Sequence, residues 1–340
     1  MTAVFLTLTR KMHKERFIAY AGYYVVFKSV FNSILMMCLA NYIVSKFGLN
    51  EWILPILFSI IYYPITIVEI YTVVRKVNIY RGVSYSFLEF FRTWNIGIIV
   101  NMLAVWLFII VDHGSNKALF DVLLKVFIIV FPWIEMYILG MDDRGLITDK
   151  YNKLIKDKYG IICNAKMIIF EGKRKKNANA FVKGILWKKC IMISDYMLDS
   201  LTEEEVCTIL CHELSHCVYY DTEIFVLSIN LFSLLLILIG SIFQEVDMEI
   251  LAGCAILFVL VIISLLFIMC LRRLQEYRAD RFSVDTTGDY KAMARALTVL
   301  YKLNDTLEER SKIMVMLETH PKLENRIRRM ETYYNTKFRY

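Results

Sequence analysis

Long apolar segments alternate with polar segments along most of this chain. Six apolar segments are long enough to cross a bilayer as helices, because about 20 residues span the hydrocarbon core. They occupy positions 29–45, 52–74, 95–111, 122–139, 224–243 and 250–271. The pattern predicts a mainly α-helical, polytopic integral membrane protein. Four spans precede a polar region, and a hairpin of two spans follows it.

The composition agrees with this interpretation. Hydrophobic residues make up 57% of the 340 residues, and the mean hydropathy is +0.48. Both values are high for an ordinary soluble protein. The N-terminal arm is basic and has no small-residue cleavage site, so we expect no cleavable signal peptide.

Basic residues indicate the orientation, because cytoplasmic loops carry an excess of lysine and arginine. The N-terminal arm, the loop after the second span and the segment after the sixth span are basic, whereas the opposite loops hold only Lys46 and Lys117. We therefore expect a multi-pass protein of the cell membrane with both termini and the polar region in the cytoplasm. The net charge of +7 follows from this asymmetry and favours contact with the lipid bilayer. No recognition module accompanies the charge, so we expect no nucleic-acid partner.

The polar region between the fourth and fifth spans predicts a small α+β unit. Helical spacing covers 149–159, and apolar strands are predicted near 165–170, 179–184 and 190–194. Thr202 then begins a helix, with Glu205 three residues later in the pattern of a capping box. The predicted regions are the four-span part at 1–140, the α+β unit at 141–221, the transmembrane hairpin at 222–271 and a cytoplasmic helical region at 272–340.

Two histidines lie four residues apart on the helix that begins at Thr202. His212 and His216 share one face of that helix, where both imidazoles can bind one metal ion. Glu213, beside the first histidine, can act as general base toward a water at that metal. The opposite face carries the apolar residues Val206, Leu210, Leu214 and Val218. We therefore expect one packed face and one face that presents ligands.

Glu276 is the expected third metal ligand. It follows the sixth span directly, so the hairpin returns the chain to the histidines. Three protein ligands leave a fourth position open, as in a catalytic zinc site, and we expect one zinc per chain. Asp221, shortly after His216, is an alternative third ligand. The eight cysteines include no CxxC pair, and we interpret those that flank the motif as buried fillers rather than ligands: Cys207, Cys211 and Cys217.

Three further residues are candidates for supporting roles. Asp280, one turn after Glu276, could orient a ligand histidine or pair with an arginine, and the alternative is a surface salt bridge. His320 could donate a hydrogen bond to an oxyanion on the scissile carbonyl, and the alternative is helix capping beside Pro321. Asn179 could contact substrate from an edge strand that pairs with an extended peptide. The alternative for Asn179 is a simple turn residue.

The motifs resemble those of the membrane gluzincin peptidases, which include the bacterial heat-shock protease HtpX and the CAAX prenyl endopeptidases. The resemblance covers about 146–330 and rests on these residues: Asn179-Ala180-Phe181 with Gly184, the HELSH helix ending at Asp221, Glu276-Tyr277-Arg278-Ala279-Asp280, Gly288-Asp289, Thr319-His320-Pro321 and Arg326. It implies a zincin-like catalytic unit in which His212, His216 and Glu276 hold zinc and Glu213 is the base. It further implies that Asn179 and His320 assist at the substrate and that Arg326 pairs with Asp280.

The expected function is zinc-dependent cleavage of membrane or membrane-associated proteins on the cytoplasmic side. Four spans before the metal helix and two after it match neither HtpX nor the prenyl endopeptidases cleanly, so two substrate classes stay open. These are membrane proteins under quality control and lipidated C-termini. A regulatory transducer that cleaves one cytosolic repressor is a third alternative, which the short external loops disfavour. The sequence does not indicate an oligomeric state.

Overall fold

A computed structural model describes residues 63–83, 117–140, 145–161, 165–245, 250–304 and 320–338, together with isolated positions among residues 6–48 and 86–90. The chain divides into two compact units, Met1–Phe127 and Ile128–Tyr340. The predicted spans at 29–45 and 95–111 lie outside the described residues. So do positions 52–62 of the second span.

The first unit contains helix α1 (Tyr63–Arg81) and the first part of α2 (Lys117–Gly140). One face of α1 is buried in an apolar cluster with residues from the N-terminal arm and the segment after the helix: Phe17, Ala21, Ile67, Ile70, Val73 and Phe90. The opposite face leaves Ile65, Val68 and Ile79 more than half exposed. Helix α1 therefore has apolar residues on both its buried and its exposed faces.

The second unit combines a four-stranded sheet with the remaining helices. Its elements, in chain order, are the end of α2, β1 (Leu146–Ile147), α3 (Lys150–Tyr159), β2 (Lys166–Phe170), β3 (Ala180–Lys183), β4 (Cys190–Ser194), α4 (Asp195–Ser200), α5 (Glu203–Val218), α6 (Asp221–Glu245), α7 (Ile250–Thr287), α8 (Tyr290–Leu303) and α9 (Leu323–Phe338). The predicted helix at 149–159 and the three predicted strands match α3, β2, β3 and β4 within two residues.

The strand order of the sheet is β1-β2-β4-β3. β2 and β4 are parallel neighbours, whereas β1 and β3 pair antiparallel with them at the two edges. β4 is buried along its whole length, as expected for a central strand covered on both faces. β3 therefore presents one free backbone edge among the described strands.

Helix α5 lies against the sheet and begins with the predicted capping box. The Thr202 side chain accepts a hydrogen bond from the Glu205 backbone N–H, and the Glu205 carboxylate accepts one from the Thr202 N–H. Both faces of α5 are packed, because residues 205–215 are all buried, and the face that carries His212 and His216 meets Glu276. Helix α7 covers the histidine face, where Ser283 Oγ donates to the Thr208 carbonyl at 2.7 Å. Val218, the last residue of the expected apolar ladder, is 48% exposed.

Helices α6 and α7 form the expected hairpin. Among the described residues, one segment, Asp221–Ile239, is long and apolar enough to cross a membrane. The predicted spans at 122–139, 224–243 and 250–271 are helical, within α2, α6 and α7. The total number of spans and their insertion into a membrane stay predictions. Helix α7 runs without a break from the sixth predicted span through Glu276 and Asp280 to Thr287.

Candidate metal centre

Two helices bring the three predicted ligands together. The helical spacing of α5 places His212 and His216 one turn apart, and α7 crosses them with Glu276. His212 and Glu276 are buried, at 4% and 3% exposure, and the candidate ligand atoms of all three residues lie within 4.8 Å of one another. Since these residues come from distant parts of the chain, the cluster depends on the packing of α5 against α7.

The separations between these atoms fit one tetrahedral zinc ion. With bonds of about 2.0–2.2 Å, neighbouring ligand atoms lie about 3.3–3.6 Å apart. The two Nε2 atoms of His212 and His216 are 3.3 Å apart. Glu276 Oε2 lies 3.4 Å from His212 Nε2, and Glu276 Oε1 lies 3.6 Å from His216 Nε2. The donor set of two imidazoles and a carboxylate is also one that zinc prefers.

Two aspartates set the orientation of the histidine rings. His216 Nδ1 is 2.7 Å from Asp221 Oδ2, and His212 Nδ1 is 3.1 Å from Asp280 Oδ1. An ionised carboxylate can only accept a hydrogen bond, so Nδ1 of His216 carries the proton, and the nearby Asp280 carboxylate favours the same tautomer for His212. Both Nε2 atoms then direct lone pairs into the same space beside Glu276. A cation in that space satisfies them, which is the usual arrangement of metal-binding histidines.

Each aspartate is in turn held by an arginine. Arg326 donates to both oxygens of Asp280, from Nε at 2.9 Å and from Nη2 at 2.6 Å, and both side chains are buried. Arg278, two residues after Glu276, pairs with Asp221. These contacts neutralise the aspartates and hold them against the histidines.

The charges of the site favour a cation. Burial opposes protonation of His212, but hydrogen bonds to Asp280 and Glu276 outweigh it and raise the pKa of His212 to about 10. Burial would also raise the pKa of Glu276, yet His320, His212 and Arg326 hold it well below its ordinary value. The electrostatic potential at this position is negative enough to keep a proton on a buried imidazole. The same potential favours the binding of a metal cation.

Glu213 lies beside His212 on α5 and is 8% exposed. Burial raises its pKa, although the neighbouring histidines act in the opposite direction. A raised pKa brings a carboxylate closer to the range in which it can both take up and release a proton near neutral pH.

His320 and Asn179 occupy different parts of the structure. His320 is 57% exposed in its side chain, and its Nδ1 lies 2.9 Å from Glu276 Oε2. It therefore contacts the metal-ligand cluster through the carboxylate of Glu276, which we assign as a ligand. Asn179 is exposed directly before β3, and its carbonyl accepts a hydrogen bond from Ser194 N–H at 2.9 Å. It belongs to the sheet edge rather than to the ligand cluster.

Sequence reasoning missed three contributors. Asp221 was considered only as an alternative ligand, but it faces the ring nitrogen of His216 that points away from Glu276. Arg278 has no role predicted from the sequence, yet it pairs with Asp221. Asn304 at the end of α8 pairs with both backbone groups of Ala178, through Nδ2 at 2.7 Å and Oδ1 at 3.2 Å, and so fixes the chain before Asn179. The closeness of His216 and Asp221 in the sequence is the one local signal that could have indicated their contact. Cys207, Cys211 and Cys217 lie outside the ligand cluster, as the sequence predicts.

A buried His-His-Glu cluster, with a further glutamate beside the first histidine, is the arrangement of gluzincin metallopeptidases. Residues 152–334 match the family model described as Peptidase family M48, and the chain belongs to this family.

Two relatives extend this comparison. A protease HtpX homolog from Sulfurovum sp. (strain NBC37-1) is 26% identical over 182 residues, which cover 46% of this chain and 66% of the relative. The crystal structure of S. mikatae Ste24p superposes with a TM-score of 0.53 and 19% identity, covering 71% of this chain and 64% of that one. The chain thus spans somewhat less than two thirds of either relative. The likeness to Ste24p concerns the fold alone.

Proposed function

We propose that this protein is an integral-membrane, zinc-dependent endopeptidase whose active site lies on the cytoplasmic side. The observation that carries the proposal is the tetrahedral spacing of His212, His216 and Glu276 within a chain of Peptidase family M48. When bound there, zinc supplies Lewis acidity, which polarises a carbonyl and makes water more acidic.

The protein's own residues supply the proton transfers and the positioning. Glu213 takes the proton of the attacking water and passes it to the leaving amine. Asp221 and Asp280 keep the histidine rings in the tautomer that binds metal. His320, partly exposed beside Glu276, donates a hydrogen bond to the oxyanion that develops on the scissile carbonyl.

The edge strand β3 offers a way to hold the substrate. Its outer edge is not paired with another described strand, so an extended peptide can add to the sheet through backbone hydrogen bonds. Asn179 precedes this edge and contacts the peptide backbone. Asn304 keeps that segment in place through its two bonds to Ala178.

We propose membrane proteins under quality control as the substrates, because the HtpX homolog is the relative matched in sequence. Cleavage of lipidated C-termini is the alternative, which the Ste24p-like fold alone does not favour, since folds host many specificities. A substrate trap separates the two. The Glu213→Gln variant, crosslinked in cells, should retain uncleaved membrane proteins that the unaltered protein cleaves and releases. Retention of prenylated peptides alone would favour the alternative.

Replacement of Glu213 also tests the catalytic assignment. Glu213→Gln should abolish proteolysis while zinc stays bound, because this side chain acts on water rather than on the metal. Glu204→Gln is the matched control, since Glu204 lies on the same helix with its side chain 61% exposed, and it should leave activity unchanged. Proteolysis by Glu213→Gln above a few per cent of the normal rate would show that the base lies elsewhere.

The metal assignment has its own test. The purified protein should hold about one zinc per chain, and His212→Ala or His216→Ala should remove it. Elemental analysis is the measurement. Undiminished zinc in both variants would refute the site, whatever the activity.

A further inference from the structure

Exposed apolar and aromatic side chains cluster where the sheet meets the beginning of α6. The turn between β3 and β4 leaves Leu186 and Trp187 exposed at 42% and 77%, and the corner between α5 and α6 leaves Tyr220 exposed at 58%. We call these three residues the aromatic corner. Trp187 is the most exposed large apolar side chain among the described residues. Such a patch on a folded unit usually marks a contact surface.

Two of these residues have a backbone conformation that disfavours their side chains. Leu186 has φ +53° and Tyr220 has φ +56°, in the left-handed region that glycine or asparagine normally occupies. Residues in that region persist only where the surrounding structure holds them, and they are enriched at functional sites. Here the conformation turns large apolar side chains outward instead of burying them.

One buried ion pair connects the two strained positions. Lys189 Nζ lies 2.9 Å from Glu223 Oε1, with both side chains less than 10% exposed. The same carboxylate oxygen accepts a hydrogen bond from Leu186 N–H at 2.8 Å. The Lys189 ammonium also donates to the Cys217 carbonyl at 3.0 Å and lies 4.3 Å from the centre of the Tyr220 ring. The ion pair and these hydrogen bonds therefore hold the β3–β4 turn against the first turn of α6.

The neighbours of the aromatic corner lie at the ends of predicted membrane spans. The Trp187 ring is 6.2 Å from that of Tyr137, near the end of the predicted span at 122–139. Arg272, directly after the predicted span at 250–271, lies over Phe225 at 5.5 Å. On α6 the exposed apolar face starts at Leu227, less than two turns beyond Tyr220. Aromatic rings with nearby cationic side chains at the ends of spans are typical of the boundary between lipid and water.

We propose that the aromatic corner inserts into the headgroup region of the cytoplasmic leaflet and holds the edge strand β3 against the bilayer. The occupant of this surface is the lipid bilayer, because the corner continues the exposed apolar face of α6. The inference rests on the proposed membrane location of the enzyme. Its consequence is that a substrate segment leaving the membrane meets β3 without crossing the cytosol.

Fluorescence quenching tests the contact without requiring activity. The chain has five tryptophans, so the difference between the unaltered protein and Trp187→Phe isolates the emission of Trp187. In proteoliposomes this difference signal should be quenched by lipids brominated near the headgroup and protected from aqueous iodide. A signal quenched by iodide and unaffected by brominated lipid would overturn the proposal.

Charge substitution tests the consequence for substrates. Trp187→Glu should lower the cleavage rate of a membrane-anchored substrate at least fivefold, while a short soluble peptide is cleaved at the normal rate. The control is Phe338→Glu, because Phe338 is an exposed aromatic residue on α9 outside the aromatic corner, and it should change neither rate. Equal losses on both substrates, or no loss on either, would contradict the proposal.

The two tests separate this proposal from the proposed function. If the unaltered protein floats with vesicles but cleaves neither substrate, the proposed function fails, and the quenching result still decides the contact. If it cleaves both substrates while Trp187 stays exposed to iodide, the function stands and the contact is wrong. Protection of Trp187 from both quenchers would indicate a protein covering the corner, and would also overturn the lipid assignment.

Discussion

Asp221 holds His216 through the ring nitrogen that faces away from Glu276. Replacing it with asparagine keeps the size of the side chain but removes the charge that fixes the tautomer and balances Arg278. Asp221→Asn should therefore weaken zinc binding about 10–100-fold, the usual cost of losing such a partner. Competition with a fluorescent chelator measures this. Asp199→Asn is the control, because Asp199 forms a surface ion pair with Lys173.

The result distinguishes two roles for Asp221. If the substitution removes zinc as completely as His216→Ala, Asp221 is itself a ligand, which was the alternative suggested by spacing. If zinc affinity is unchanged, the contact between Asp221 and His216 does not support the metal.

Arg326 is the only described cation that donates to both oxygens of Asp280. Arg326→Ala leaves that carboxylate buried without its counter-ion, and such a loss costs about 3–5 kcal/mol. Chemical unfolding in detergent should show this decrease, together with weaker zinc retention, because Asp280 also faces His212. Arg328→Ala, at an exposed position two residues later, should change the free energy of unfolding by less than about 0.5 kcal/mol. Equal effects of the two substitutions would mean that the Arg326–Asp280 pair contributes little.

At the level of elements, the buried pair of Lys189 and Glu223 joins the β3–β4 turn to α6. Lys189→Met should destabilise the fold by about 3–5 kcal/mol, since Glu223 is then buried without a partner charge. Adding Glu223→Gln should restore much of this loss, because the amide oxygen can still accept from Leu186 N–H. A double-mutant cycle of unfolding free energies gives the coupling, and Lys188→Met at the exposed neighbouring position is the control. A purely additive double variant would argue against the pair.

Elements with local signals were predicted well. The capping box at Thr202 and the apolar runs of β2, β3 and β4 depend on neighbouring residues, and the structure shows each of them. Helix α9 ends at Phe338, and tertiary contacts hold its last turn. Lys337 pairs with Asp285 of α7 at 2.6 Å, a partner that no local pattern reveals.

The candidate site likewise has features that local sequence patterns predict and features that depend on tertiary packing. Helical spacing predicts that His212 and His216 share one face, and the predicted hairpin places Glu276 near them. The burial of α5 on every side, the exposure of Val218 and the role of Asp221 depend on how α7 crosses α5. That crossing is set by side-chain packing between distant parts of the chain, which one sequence does not display. Whether these residues bind zinc stays a prediction.

For the whole molecule, the lysine and arginine distribution predicts one topology. Reporters fused after Tyr340 and inserted at 173–176 should both report the cytoplasm, because the basic loops lie on that side. A label directed to positions 244–249 should react from outside intact cells. A reporter at 173–176 that faces the outside would require an odd number of early spans and would place the candidate active site on the opposite side of the membrane.

The unbroken course of α7 makes bilayer thickness a variable that acts on the candidate site. At about 1.5 Å per residue, Glu276 lies about 7.5 Å beyond Leu271, the last residue of the predicted sixth span. A thinner bilayer tilts a long apolar helix, and a continuous helix carries that tilt directly to its next turns. Glu276 moves with this helix, whereas His212 and His216 are fixed by the sheet that supports α5. With the sixth predicted span in the bilayer, as we propose, the separation of the two halves of the ligand set, and with it the affinity for metal, should depend on the lipid composition around the hairpin.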